Sequence, residues 1–325
     1  MKLKLRTQST EALKSTLSLI SRVRRFVVLR FTYSQLYIIL VDEYSLEPQV
    51  WCKLQMNSIF DQVEIQSLKD NTILLEINID LFLQTLKHFD RANSDGLNIR
   101  LQRKDTLGGE GVATKQGRVA SLAMYYSNIN SHQNSINHTF RIPVKIMKNN
   151  DESFISREPE LRDVQLMMKL PNEFVTTYKR LEKFKKPNQK ELLTIKASRR
   201  NEGLLAFVLK EEGKYRVTIT WNNHLEVIKP DNPNLNNSNN GLDTFQSIRE
   251  SQTSTNEEIE EEDREIHVKL KDWLMSSRIV ATCKSILFLM TLNGCMLHCL
   301  LDDAGNIQIT YHITGVVVRS DTDNM

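Results

Sequence analysis

The chain has 325 residues, 40% of them hydrophobic and 26% charged, so burial can offset chain entropy and wholesale disorder is excluded. Eleven glycines and seven prolines exclude collagen-like and proline-rich linker proteins. Forty-three Lys and Arg against forty Asp and Glu leave a formal charge of +3, which by itself argues neither for nor against a polyanionic partner.

In chain order, residues 1–5 alternate as a short strand. Ser9 can then cap a helix reaching about Arg22, with Leu13, Leu17 and Ile20 on one stripe. Short strands are expected at 26–31, 36–41, 50–54, 62–67 and 72–77. A second helix is expected at 79–91, where Ile79, Phe82, Leu83, Leu86 and Phe89 recur at helical spacing. Strands follow at 97–101, 119–126 and 139–146, with the glycine-rich run 107–117 as a polar loop between the first two.

The second half repeats that order after a polar connector at 148–163. A strand at 164–170 leads to Pro171, which opens a helix to about Lys186. Strands at 192–197, 204–209, 215–221 and 225–228 come next. Residues 231–263 hold nine acids against Arg249 alone, a local charge of −8 that leaves +11 on the rest of the chain. Rich in Asn, Ser and Thr and without an apolar period, they are expected to form a disordered acidic insert. A strand at 266–270, a helix at 272–290 and a hairpin of 295–301 with 307–313 complete the sequence pattern, before a tail at 316–325. The expected architecture is therefore α+β and duplicated, with domains at 1–147 and 164–315, the second interrupted by the insert.

Four scattered cysteines give no disulfide framework, and the N-terminal MKLKLRTQ has no apolar secretory stretch. The apolar run 285–301 is broken by Asn293, Gly294 and His298 and is too short to span a bilayer. A soluble protein of a reducing compartment is expected. Nucleotide-binding glycine patterns, Gly-x-Ser-x-Gly and His-Glu-x-x-His are all absent from the sequence. On a strand, Cys295 and Cys299 face one side and His298 the other, so buried core residues are favoured over a zinc site. No catalytic residue, metal ligand or cofactor is assigned. Trp51, Trp221 and Trp273 lie in apolar contexts as core or interface residues and form no stacking platform.

The helices carry the informative pattern. The first places Lys14, Arg22 and Arg25 opposite its apolar stripe, the second Lys87, His88 and Arg91, and the third Lys179, Arg180, Lys183 and Lys186. Solvated helix faces normally interleave both signs to gain i,i+4 pairs. Faces largely without acids suit a phosphate backbone, although nothing in their spacing implies base reading.

Several segments follow in the order and spacing of a known family: QLYII at 35–39, VWCKL at 50–54, IFD at 59–61, ILLEINIDL at 73–81 with Leu86 and Lys87, and RIPVKI at 141–146. The chain resembles the HUS-type subunits of the nine-one-one DNA-damage checkpoint clamp. It looks especially like their budding-yeast MEC-type form, through MKLKL at 1–5, VQLMM at 164–168, Lys271 to Trp273 and MLHC at 296–299. The resemblance covers nearly the whole chain, and departs from compact members at 103–117 and at the acidic insert.

The resemblance implies a PCNA-like clamp: two similar domains, each with two helices on antiparallel sheets. It also implies three different subunits closed around double-stranded DNA. By the same resemblance the protein is nuclear and non-catalytic, is loaded by a replication-factor-C-like ATPase and helps activate a checkpoint kinase. Edge strands would pair head-to-tail between subunits, the matching residues being Thr139, Arg141, Val144 and Ile146 in the first domain and Tyr215, Val217, Ile219 and Trp221 in the second. Ser251, followed by Gln252, is a candidate phosphosite. The competing expectations are a homotrimeric replication clamp and a nucleic-acid-processing enzyme. The second would need clustered carboxylates for metal ions, found densely only at 257–263.

Overall fold

The structure is a computed structural model that describes residues 1–41, 47–68, 70–90, 94, 96–104, 119–129, 135–147, 155, 158–159, 164–186, 191–199, 203–222, 225–228 and 263–317. The glycine-rich run, Arg91, nearly all of the connector, Ser251 and the acidic insert up to residue 262 lie outside these residues. By backbone contacts the chain divides into two units, residues 1–41 with 51–157 and residues 42–50 with 158–325.

The first unit builds on β1 (Lys2–Thr7), β2 (Phe26–Phe31), β3 (Gln35–Leu40), β4 (Gln49–Gln55), β5 (Gln62–Gln66), β6 (Ile73–Asn78), β7 (Leu97–Lys104), β8 (Val119–Ile129) and β9 (Ser135–Ile146). Their spatial order is β4-β3-β2-β6-β9-β8-β7-β1-β5. Alternation is clear in β1, where Leu3, Leu5 and Thr7 are buried and Lys2, Lys4 and Arg6 face outward. Helices α1 (Glu11–Ile20) and α3 (Ile79–Asp90) pack together and cover one face of the sheet; the single turn α2 (Met56–Ile59) follows β4. In α1 the buried stripe is Leu13, Thr16, Leu17 and Ile20, and the helix starts after Thr10, one residue later than expected. On α3, Ile79, Phe82, Leu83, Leu86 and Phe89 are all buried, as their 3.6-residue period requires.

The opposite face of this sheet has a smaller apolar cluster of Ile39, Trp51, Leu74, Met147 and Ile155. Ile155, a connector residue, is buried there, and its carbonyl accepts a 3.4 Å hydrogen bond from Arg30. The Arg30 guanidinium also lies 3.9 Å from the Tyr37 ring centroid.

In the second unit, β10 (Val164–Leu170) leads through a 3-10 turn (Asn172–Phe174) into α4 (Val175–Glu182). The remaining elements are β11 (Leu192–Ser198), β12 (Leu204–Glu211), β13 (Tyr215–Asn222), β14 (Glu226–Val227), β15 (Arg264–Lys269), α5 (Leu270–Met275), α6 (Ser277–Thr282), β16 (Ser285–Thr291), β17 (Gly294–Leu300) and β18 (Ile307–Thr314). They form two antiparallel ladders, β14-β10-β16-β17-β18 and β13-β12-β11-β15. Each unit thus carries antiparallel strands and a helical layer, the α+β arrangement expected.

Packing in this unit centres on Trp273, which is fully buried. Tyr178 stacks on it with centroids 5.5 Å apart, Phe207 lies 5.1 Å away, and Phe288 and Phe174 approach edge-on at 6.2 and 6.4 Å. Burial raises the Tyr178 phenol well above its ordinary pKa, and its hydroxyl shares a 2.8 Å hydrogen bond with Ser276 Oγ. One indole therefore ties α4, α5, β12 and β16 together.

The helix expected at 272–290 is corrected. Helical backbone spans only 270–275 and 277–282; Cys283 turns extended, and 285–291 is strand β16. Residues 286–290 are all buried. A strand covered on both faces is a continuous apolar run, and such a run does not distinguish strand from helix by its period. The third helix likewise ends at Glu182 instead of Lys186.

Replacing Trp273 with Ala removes the ring shared by these four elements. The expected cost is about 3–5 kcal/mol, read as a lowered urea midpoint. A loss below ~1 kcal/mol would show that the ring is not the centre of this core.

Candidate functional site

Two kinds of surface concern function: the outward faces of the helices and the unpaired sides of strands. On α1 the outward serines, Ser15 exposed and Ser18 and Ser21 partly buried, fold back on their own helix. Ser15, Ser18 and Ser21 hydroxyls donate to the carbonyls of Ala12, Ser15 and Ser18 at 3.0, 2.7 and 3.1 Å. Lys14 and Arg22 supply the charge on and just beyond this helix. Arg25 is exposed and pairs with Asp80 at 3.5 Å, while its carbonyl accepts the Ile79 N–H at the start of α3. The positive face here is therefore partly offset by an acid, in a pair so exposed that it contributes little stability.

Lys87 and His88 are exposed on α3, and the His88 ring stacks on Phe140 of β9 with centroids 5.9 Å apart. On α4 the buried residues are Thr177, Tyr178 and Leu181; Lys179 and Arg180 are exposed, as is Lys183 just past the helix end. Lys179 and Arg180 occupy the last turn, where cations also complement the helix dipole. Lys186 is different. It lies beyond the helix, pairs with Glu211, approaches Glu191 at 4.0 Å, and sits 5.4 Å from the Tyr215 ring centroid. Its neighbours hold the Lys186 ammonium above the ordinary lysine pKa, chiefly through the Glu211 contact, so it stays charged with its charge turned toward carboxylates.

The sequence pattern passed over the α5–α6 region as a source of charge. Lys271 and Arg278 are exposed there, against buried Leu270, Trp273, Leu274, Ile279 and Val280. The overlong helix expected at 272–290 hid this face, because its period was carried through residues that are strand.

The strand edges are unequal. β13 pairs with β12 from Leu204↔Asn222 to Glu211↔Tyr215 and ends its ladder, so its other side pairs with no strand among the described residues. Tyr215, Val217, Ile219 and Trp221 share one side of it, opposite Glu211, Leu209, Phe207 and Leu205. Arg216, Thr218 and Thr220 are exposed on the other side. The Trp221 indole N–H donates to Thr177 Oγ1 at 2.7 Å.

β9 is split. It pairs with β8 from Ser135 to Val144, but Val144, Lys145 and Ile146 also pair with Ile77, Glu76 and Leu75 of β6. Val144 is therefore removed from the edge set, because its ladder is occupied on both sides, while Ile146 has its β6 side taken by Leu75. On its side away from β8, 135–143 has no strand partner among the described residues; it includes Thr139, Arg141 and exposed Ile136. Its inward side is a ring stack: His138 on Tyr126 at 4.8 Å, with Phe140 6.2 Å from Tyr126. The split is not legible in sequence, because β6 stops short where α3 begins and only the three-dimensional register shows it.

Cys295, His298 and Cys299 are all buried on β17. His298 Nδ1 lies 3.3 Å from Thr310 Oγ1, and burial pushes the Cys295 thiol upward in pKa. Among the described residues no group of three His, Cys, Asp or Glu is placed to hold a metal ion.

The sequence model of the family described as "Hus1-like protein" matches residues 1–317. The "DNA damage checkpoint control protein MEC3" of Eremothecium gossypii is 22% identical over 344 aligned positions, covering 89% of each chain. The protein of the same description from Saccharomyces cerevisiae is 24% identical, over 73% of this chain and 67% of its own. The "Checkpoint protein hus1" of Schizosaccharomyces pombe is 26% identical over 53% of this chain and 54% of its own.

An unpaired strand carrying an exposed Ile is a template for self-association. Ile136→Lys is expected to reduce self-association of the lone chain at high concentration, measured by sedimentation velocity. An unchanged distribution would show that the 135–143 edge does not drive it.

Proposed function

We propose, from the premise that the chain belongs to the Hus1-like protein family, that it is a non-catalytic subunit of a heterotrimeric checkpoint clamp. It encircles DNA at damage sites and promotes checkpoint kinase activation. The observation that carries the subunit role is the pair of strand sides without a strand partner among the described residues, β9 at 135–143 and β13, one in each unit. Backbone donors and acceptors there are ready for an adjoining strand, and a head-to-tail contact between unlike surfaces closes into a ring when its rotation allows.

DNA contact is supported by the exposed bases Arg22, Lys87, Lys179, Arg180 and Lys183 and by Lys271 and Arg278 from α5 and α6. Such contacts track phosphate and carry no sequence preference. The proposed domains are 1–147 and 164–315. The proposed partners are two paralogous clamp subunits, a replication-factor-C-like loader and double-stranded DNA, in the nucleus. Phosphorylation of Ser251 belongs to the same proposal and is checked by phosphopeptide mapping after DNA damage.

The direct experiment is co-expression with two candidate clamp partners. A one-to-one-to-one ring on gel filtration supports the proposal. A ring formed by this chain alone would favour a homotrimeric clamp, and a monomer with affinity for neither partner would remove the basis of both.

Replacing Lys179, Arg180 and Lys183 together with Ala is expected to weaken retention on DNA. The slope of log affinity against log salt should become shallower by about 2–3, one release event per lost phosphate contact. Equal retention at every salt concentration would show that α4 does not touch DNA.

A further inference from the structure

We propose that Lys186 and Trp221 are positioning residues that hold the unpaired side of β13 in the conformation an adjoining strand meets; this rests on the subunit role proposed above. Among the described residues β13 is bonded to a strand on one side only, and strands in that situation open locally at little cost, beginning at their ends. Here each end is held by the same short segment, α4 and the residues flanking it.

At the start of the strand, Glu211 and Tyr215 are register partners across the β12–β13 turn. Lys186 pairs with the Glu211 carboxylate and lies over the Tyr215 ring, whose other neighbour, Phe184, is 5.5 Å away. At the far end, the Trp221 indole N–H donates to Thr177 Oγ1 at 2.7 Å, and its ring lies 5.9 Å from Phe174. Thr177 is fully buried, so that hydroxyl is a fixed acceptor and the bond it takes is shielded from water.

The division of labour along the strand follows. The inward side chains of Tyr215 and Trp221 are spent on α4 and its extension, and Ile219 is buried opposite Phe207. Arg216, Thr218 and Thr220 remain exposed. A strand held at both ends gives up less conformational freedom when a partner docks, and the affinity gained is the ordering cost avoided.

The Lys186 contact is half-exposed, and ion pairs of that kind add little to global stability. Its effect is local. Lys186 and Lys214 hold the Glu211 carboxyl below the ordinary range, Lys186 first. The charged contact is accordingly complete at neutral pH and is lost only as pH falls through that depressed value.

The test uses the full chain as Lys186→Ala and Trp221→Phe, with Lys186→Arg as the conservative control. Hydrogen exchange of the peptide covering 212–222 is followed in the lone chain, and affinity is titrated against the two clamp partners. Faster exchange in both variants, with affinity reduced about three- to tenfold, is the expected result. The thermal midpoint of Lys186→Ala and its salt dependence on DNA should not change, and Lys186→Arg should restore both exchange and affinity. Unchanged exchange, or faster exchange with undiminished partner affinity, overturns the proposal. A wild-type chain that binds neither partner overturns the subunit role itself, and is told apart because the unsubstituted protein is then already negative.

Discussion

Every strand that ends a sheet leaves one row of peptide donors and acceptors unbonded, and much of this molecule is organised around where those rows fall. Some are blunted by familiar means. β5 carries Glu64 in contact with Lys2 and Lys4, between Gln62 and Gln66. β14 is only two residues long, and β15 receives the Val316 N–H on its His267 carbonyl at 2.7 Å. The 135–143 half of β9 and the whole of β13 have no such cover among the described residues. Threonine, arginine and an exposed isoleucine line them instead.

The helical layer answers a second demand of the same sheets. A strand face rich in Leu, Ile and Phe has to be covered, and α1 with α3, and α4 with α5 and α6, supply the cover. Each helix spends its apolar stripe on the sheet and must present something polar to water. In α4 that polar side is Thr176, Lys179, Arg180 and Glu182, and in the α5–α6 region it includes Lys271 and Arg278. Cationic choices cost nothing in packing, because the core residues between them, Tyr178, Leu181, Trp273 and Ile279, are unaffected by what lies outward. Charge can thus be set by the partner while the fold is set by the core.

Much of this was legible in the residues. α1 and α3 follow a clean 3.6 period, and β1, β2, β10 and β11 alternate well enough to be placed to within a residue or two. The failures have specific causes. At 286–290 the residues are apolar on both faces of the strand, so periodicity is silent and a helical period runs on through it. Lys186 fits the helical spacing of Lys179 and Lys183, but the helix stops at Glu182, and only the fold brings Glu211, 25 residues away, to its ammonium. Val144 and Ile146 look like the rest of β9 until β6 is laid beside them.

All four cysteines are buried, at positions 52, 283, 295 and 299, and none is in a disulfide. Burial keeps the Cys295 thiol protonated, and the thiolate is the form that attacks oxidants and alkylating agents. Chemistry at sulfur is therefore gated by opening of the structure: a thiol reagent that labels this protein is timing the exposure of its interior. The sulfurs serve as built-in clocks, Cys52 for the first unit and the other three for the second.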